Sequence, residues 1–207
     1  MCSSDLTPDG NGGIYAGLMP DGNVISIAPD GSSLTLFEPD EGYIWALTTN
    51  EMRDLFVGTG NPGRIYRIPP EGDPELFYDT GTTHVRALAL DSRGNLIAGT
   101  SGPGRVIRIS QNADAFVVLD SGYDEITAIR IGRDDEVLAV GANATEDNAN
   151  PSAVSSGTDS PSAAMTGAKG AVYRIASDGI WDLLWDSATD TPFDAELLPD
   201  GDVVIAT

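Results

Sequence analysis

The chain has 207 residues, 32 of them acidic and 11 basic, for a net charge of −21; a surface this acidic repels nucleic acid and anionic membranes and sets both aside as partners. The charge reads as a solubility device, and a salt-adapted source also fits it. Cys2 is the one cysteine, so no internal disulfide forms and the redox compartment stays open; no apolar run approaches the ~20 residues of a membrane span, which argues against insertion, and no signal peptide is visible.

The chain opens MCSSDL, the translation of a common sequencing-adapter tail, and stops at VVIAT in the middle of an apolar run. Residues 1–6 are therefore expected to be a non-native leader, and 7–207 a fragment of a larger repeat domain. After a turn signal at 7–10, residues 13–18 read as the second strand of a module whose first strand is missing. Residues 24–28 and 34–38 complete that module around the Asp30-Gly31 turn. Residues 44–49, 55–59, 64–68 and 75–78 form a second module. The clearest copy is 85–120, VRALALD-SRG-NLIAGT-SGPGRVIRIS-QNAD-AFVVLD, four short strands separated by tight turns. A fourth module begins at 126–131 and 137–140. It is interrupted by a polar, Pro/Gly-punctuated insertion at 142–169, expected to be a disordered loop, and resumes at 171–175 and 181–185. Residues 193–197 and 203–206 begin one more.

The modules keep a common period. Gly22, Gly63 and Gly104, which open GNVISI, GRIYRI and GRVIRI, recur at 41-residue spacing, as do Ile44, Val85 and Ile126. Both series then stretch to 66, at Gly170 and Pro192, which places one insertion in the fourth module. Four strands in roughly 40–45 residues is the signature of a β-propeller blade. The predicted fold is all-β, with four-stranded antiparallel blades in an incomplete open arc. It holds about 17 strands, three full blades plus parts of two.

Residues that recur in every blade build the blade. Arg64 and Arg105 recur at 41, with Asp79 and Asp120 opposite them in one shared register, and are expected to form exposed cross-strand ion pairs. Arg67, Arg108 and Arg174 are read as structural for the same reason. Function is sought where blades differ. In a four-stranded meander the entry to the first strand and the turn between the second and third lie at one end. Tyr43, His84 and Glu125 therefore share a face with Asn61, Pro103 and the insertion. These four, Tyr43, Asn61, His84 and Glu125, are the candidate ligand-binding residues of an axial mouth. Along the inner strands, Asp194 stands where other blades have Ala46, Ala87 and Ala128. Arg130 and Glu196 stand where others have Thr48 and Ala89, and are expected to pair across neighbouring blades. His84, Glu125, Asp194 and Glu196 are the catalytic candidates if the axis carries an acidic site.

GRIYRI and GRVIRI followed by VRALALDSRGNLIAGT resemble the bacterial propellers of the NHL-repeat, YVTN and virginiamycin B lyase/gluconolactonase type. The resemblance covers nearly the whole chain and implies the fold. It also implies two functional classes, since some relatives are metal-dependent lactonases or lyases with acidic, Asn or His residues at the axial mouth, and others are non-catalytic scaffolds. The second strands here end in VGT and AGT, without the tryptophan–phenylalanine–threonine–glutamate ending of the lyases. The preferred expectation is a scaffold that binds a protein or small-molecule ligand, uses no cofactor, packs against further blades of the same propeller and works outside the cytoplasm. The alternative is a lactonase- or lyase-like enzyme using a divalent metal. Convergence of Asp194 and Glu196 on one point with another oxygen or with His84 would favour the enzyme.

Overall fold

The computed structural model describes residues 2–19, 22–143 and 169–207. Its strands fall into four complete blades and half of a fifth. Blade one is β1 (Cys2–Pro8), β2 (Ile14–Met19), β3 (Val24–Ile27) and β4 (Ser33–Phe37), paired in that order. Blade two is β5 (Tyr43–Thr49), both arms of the long β6 (Leu55–Ile68) and the first arm of β7 (Glu75–Leu90). The second arm of β7, 84–90, is the inner strand of blade three. It pairs with β8 (Leu96–Ser101), which pairs with β9 (Arg105–Ile109), which pairs with β10 (Ala115–Asp120). Blade four is β11 (Glu125–Ile131), β12 (Val137–Ala142), β13 (Gly170–Ile175) and β14 (Trp181–Ser187); β15 (Asp194–Leu197) and β16 (Val203–Ala206) form the last pair.

The blades stack through apolar faces, and the cores lie between blades. Val24 of blade one meets Ile44, Leu47, Leu55 and Val57 of blade two. Phe56 and Ile65 of blade two meet Val85, Leu96 and Ile107 of blade three. Ile97, Val106 and Leu119 of blade three meet Ile126, Val137 and Tyr173 of blade four. Val140 and Val172 of blade four meet Ala195 of the last pair. β8 thus sends Leu96 and Ala98 to one neighbour and Ile97 to the other, which is why its sequence reads as a continuous apolar run. Among the described residues, strand pairing passes from blade to blade only at corners. Gly60 pairs with His84 where β6 crosses β7, and Glu125 pairs with Ser101. The sheet path that results joins blades two, three and four, while blade one and the last pair are separate sheets.

Three expectations change or fall outside the description. Blade one has a first strand: the expected leader boundary falls inside β1, whose residues pair with β2 from Cys2 to Pro8. Cys2–Pro8 reads CSSDLTP and has no strand pattern of its own; pairing supplies the conformation. The last inner strand begins at Asp194, one residue later than expected, with the Phe193 N–H donating to the Ala206 carbonyl at 2.9 Å. The expected disordered loop lies outside the described residues except at its ends. There Ala142 closes β12, and the Asn143 N–H donates to the Lys169 carbonyl at 2.9 Å. The predicted ion pairs hold, with Arg64–Asp79 and Arg105–Asp120 both at 3.1 Å and in the same register.

Candidate functional site

The inner strands carry a shared irregularity. In blades two, three and four a register shift leaves one residue without a partner: Trp45 between Ile44 and Ala46, Arg86 between Val85 and Ala87, and Thr127 between Ile126 and Ala128. A β-bulge turns the extra side chain out of the ladder, and here it turns it toward the axis. Trp45, Arg86 and Thr127, with Asp5, Arg130 and Asp194, line an axial cavity of about 330 Å³. The next blade packs closely against glycine on the second strand. A Cβ on Gly99 would sit 2.7 Å from Ile126 Cγ2, so only glycine lets the next inner strand lie that close.

At the mouth, three blades contribute to one cluster. The Tyr43 and Trp45 rings stack at 5.7 Å and 14°. The Arg86 guanidinium carbon lies 4.0 Å from the centre of the Trp45 ring, on its face. The Trp45 indole N–H donates to His84 Nδ1 at 3.2 Å, and the Tyr43 and His84 rings meet edge to face. The cluster ends at Glu125, whose Oε2 lies 3.3 Å from Arg86 Nε. Gly60 underlies the Trp45–His84 bond: a Cβ there would come within 2.4 Å of Trp45 Nε1. Burial first, and Arg86 second, hold the His84 pKa below its ordinary value, so the ring is neutral at pH 7. Because Nδ1 accepts from Trp45, the ring proton sits on Nε2.

Deeper on the axis lies a second cluster. Arg130 pairs through Nη2 with Asp194 and through Nε, at 3.4 Å, with Glu196, and its Nη1 donates to the Ile129 carbonyl at 3.0 Å. Asp5 accepts the backbone N–H of Leu47 at 2.6 Å and of Leu6 at 2.9 Å. Burial raises its pKa against the pull of those bonds and of Arg130.

The candidates named from sequence therefore divide. Tyr43, His84 and Glu125 come together at the mouth. Asp194 and Glu196 come together on Arg130, away from His84. Asn61 is exposed at the β6 crossing and joins neither cluster. Among the described residues no hydrogen bond or ion pair links the two clusters, and no three His, Cys, Asp or Glu side chains are arranged to hold a metal ion. The residues present do not fit a divalent-metal centre. Sequence reading missed Trp45, Arg86 and Asp5. A larger groove, about 630 Å³, opens between blades two and three at the opposite end and is floored by Phe56, Phe77 and Leu96. Its most enclosed charges are already matched, with Arg67 on Asp54 at 2.9 Å and Asp91 bonded within its own turn.

No family model matches the chain, and no curated protein matches it. Solved structures do match. A virginiamycin B lyase from Staphylococcus aureus superposes with a TM-score of 0.68 at 14% identity, over 97% of this chain and 61% of that one. A chain of a nidogen/laminin complex gives 0.68 at 14%, over 92% and 66%. A putative gluconolactonase gives 0.67 at 11%, over 98% and 70%. This chain thus spans 61% of the length of the lyase. No helix among the described residues is long and apolar enough to cross a membrane. Taken with the interblade cores, these likenesses establish that the chain folds as an open arc of β-propeller blades.

Proposed function

We propose that this propeller arc is a binding scaffold whose ligand is a small molecule held at the axial mouth. The observation that carries the reading is the Tyr43–Trp45–His84–Arg86–Glu125 cluster. It is assembled from three blades at positions where the blades differ, beside a cavity at the lower end of the ~300–1,000 Å³ that ligand sites occupy. Scaffold elements repeat, and this cluster does not. A metal-dependent lactonase or lyase is less well supported. Its acid–base candidates Asp194 and Glu196 are engaged by Arg130, and His84 is engaged by Trp45. A setting outside the cytoplasm belongs to the proposal on the resemblance alone, and cell fractionation of the source checks it.

The test is a small-molecule fragment screen on the intact chain, read by the three tryptophan indole N–H resonances. Hits are expected to move the Trp45 signal and leave Trp181 and Trp185 unchanged. Hits confined to the groove at the opposite end would overturn the reading. So would lactone turnover that disappears in Asp194→Asn.

A further inference from the structure

Arg86 differs from the other arginines of the chain in what it leaves open. Arg64 holds two carboxylates, Glu41 and Asp79; Arg67 holds Asp54 and Glu75; Arg130 holds Asp194 and Glu196. Arg86 holds one, Glu125, through its Nε edge. Arginines elsewhere with a single acid, such as Arg105 and Arg93, lie on outer strands and turns where water fills the remaining sites. Arg86 lines the axial cavity, and neither of its Nη groups hydrogen-bonds to a described residue. The Trp45 ring covers one face of the guanidinium, and the Glu125 carboxylate lies 3.3 Å from Nε without a hydrogen bond, so stacking on Trp45 orients the plane before any ligand arrives. A planar fork held in this way is pre-organised for two parallel hydrogen bonds to a carboxylate.

We infer that the mouth binds a ring-bearing monocarboxylate, with the acid on the Arg86 Nη groups and the ring against Tyr43. This rests on the axial-mouth reading and adds the ligand class to it. Tyr43 supplies the platform: its ring stacks on Trp45 and is itself 39% exposed. Deeper in the cavity Arg130 is already neutralised by two acids, so Arg86 offers the charge that remains. The net charge of −21 works against a ligand with several negative charges and leaves one carboxylate as the charge the site accepts.

The experiment titrates the intact chain with benzoate and with glucuronate, and with their neutral counterparts benzamide and glucose, following the Trp45 indole N–H. The two acids are expected to bind with dissociation constants of roughly millimolar order, as suits probes this small. The neutral probes are expected to bind about tenfold more weakly or not at all, the loss of a charge-assisted pair. Arg86→Gln should remove the preference for acid over neutral probe. Arg86→Lys, which keeps the charge and loses the fork, should retain only part of it. Equal binding of acid and neutral probes at Trp45, unchanged in Arg86→Gln, would overturn the carboxylate assignment while leaving the mouth as the binding site. No response of Trp45 to either acid would overturn the assignment as well, and the fragment screen then decides separately whether the mouth binds anything.

Discussion

The interblade cores and the axial mouth are built from the same inner strands by opposite rules. In the cores, equivalent positions carry equivalent residues: Ile44, Val85 and Ile126 are each buried to 0% exposure against the preceding blade. At the mouth, the bulged positions one residue later carry Trp45, Arg86 and Thr127, which share no chemistry. The bulge is what separates the two. It takes one residue per strand out of the repeating ladder, and that residue is free to vary without disturbing the stack.

The largest effect that tests this separation is in the core. Ile97 is fully buried between blades three and four. Ile97→Ala is expected to cost about 2–5 kcal/mol in chemical denaturation. Arg86→Gln, at a mouth position equally close to the axis, is expected to cost about 1 kcal/mol or less. Comparable losses at the two sites would mean that the mouth is structural.

Gly60 is where the regions meet, and its effect comes next in size. The Cβ of Gly60→Ala would lie 2.3 Å from His84 Nδ1 and 2.4 Å from Trp45 Nε1. The clash is expected to cost about 1–3 kcal/mol and to abolish the benzoate response. Full binding in a destabilised Gly60→Ala chain would show that the Trp45–His84 bond does not organise the site.

How far the sequence carried follows from the same two rules. The period, the blade boundaries from residue 44 onward and the Arg64–Asp79 register were legible because repetition states them more than once, and the Arg130–Glu196 pair was legible because it breaks that repetition. Tyr43, His84 and Glu125 were found because meander topology places strand entries at one end. Trp45 and Arg86 were not found, because IWAL, VRAL and ITAI read as unbroken strands, and a bulge has no composition of its own. The signal available was the glycine facing it, Gly58 in VGT and Gly99 in AGT, since an isolated strand glycine marks a bulge or a close approach. β1 was missed for a different reason. Its residues are polar, and Asp5 stands where other blades have alanine, so neither propensity nor repetition declared it a strand.

A smaller effect is expected from pH. His84 sits among Tyr43, Trp45, Arg86 and Glu125, and its folded pKa lies below the ordinary value of 6.5. As pH falls, the unfolded chain takes up the histidine proton first. The stability this group contributes is therefore complete above about pH 6.5 and is lost as pH falls through the lower folded value. Denaturation midpoints at pH 8 and pH 5.5 should differ in the wild type and converge in His84→Gln. The carboxylates whose folded pKa values are lowered, Asp30, Asp79 and Asp135, contribute throughout this range and lose that contribution only at more acid pH, below the ordinary carboxylate value.

The smallest effect belongs to the most conspicuous repeat. Arg105 and Asp120 recur with Arg64 and Asp79, yet both partners of the Arg105 pair are well exposed, at 39% and 48% of their side chains. Exposed pairs of this kind contribute about 0–1 kcal/mol. A double-mutant cycle on Arg105 and Asp120 is expected to give a coupling in that range, falling toward zero in 1 M salt, where the screening length shrinks to about 3 Å. Arg64 has the same register but also reaches Glu41, which is 2% exposed and accepts from the Tyr66 hydroxyl at 3.0 Å. The Arg64–Glu41 coupling should therefore exceed the Arg105–Asp120 coupling and survive salt. If the two cycles agree in size and salt dependence, burial is not what sets the energy, and the rule that repetition reports register while singular contacts carry the specific energetics fails where it is easiest to measure.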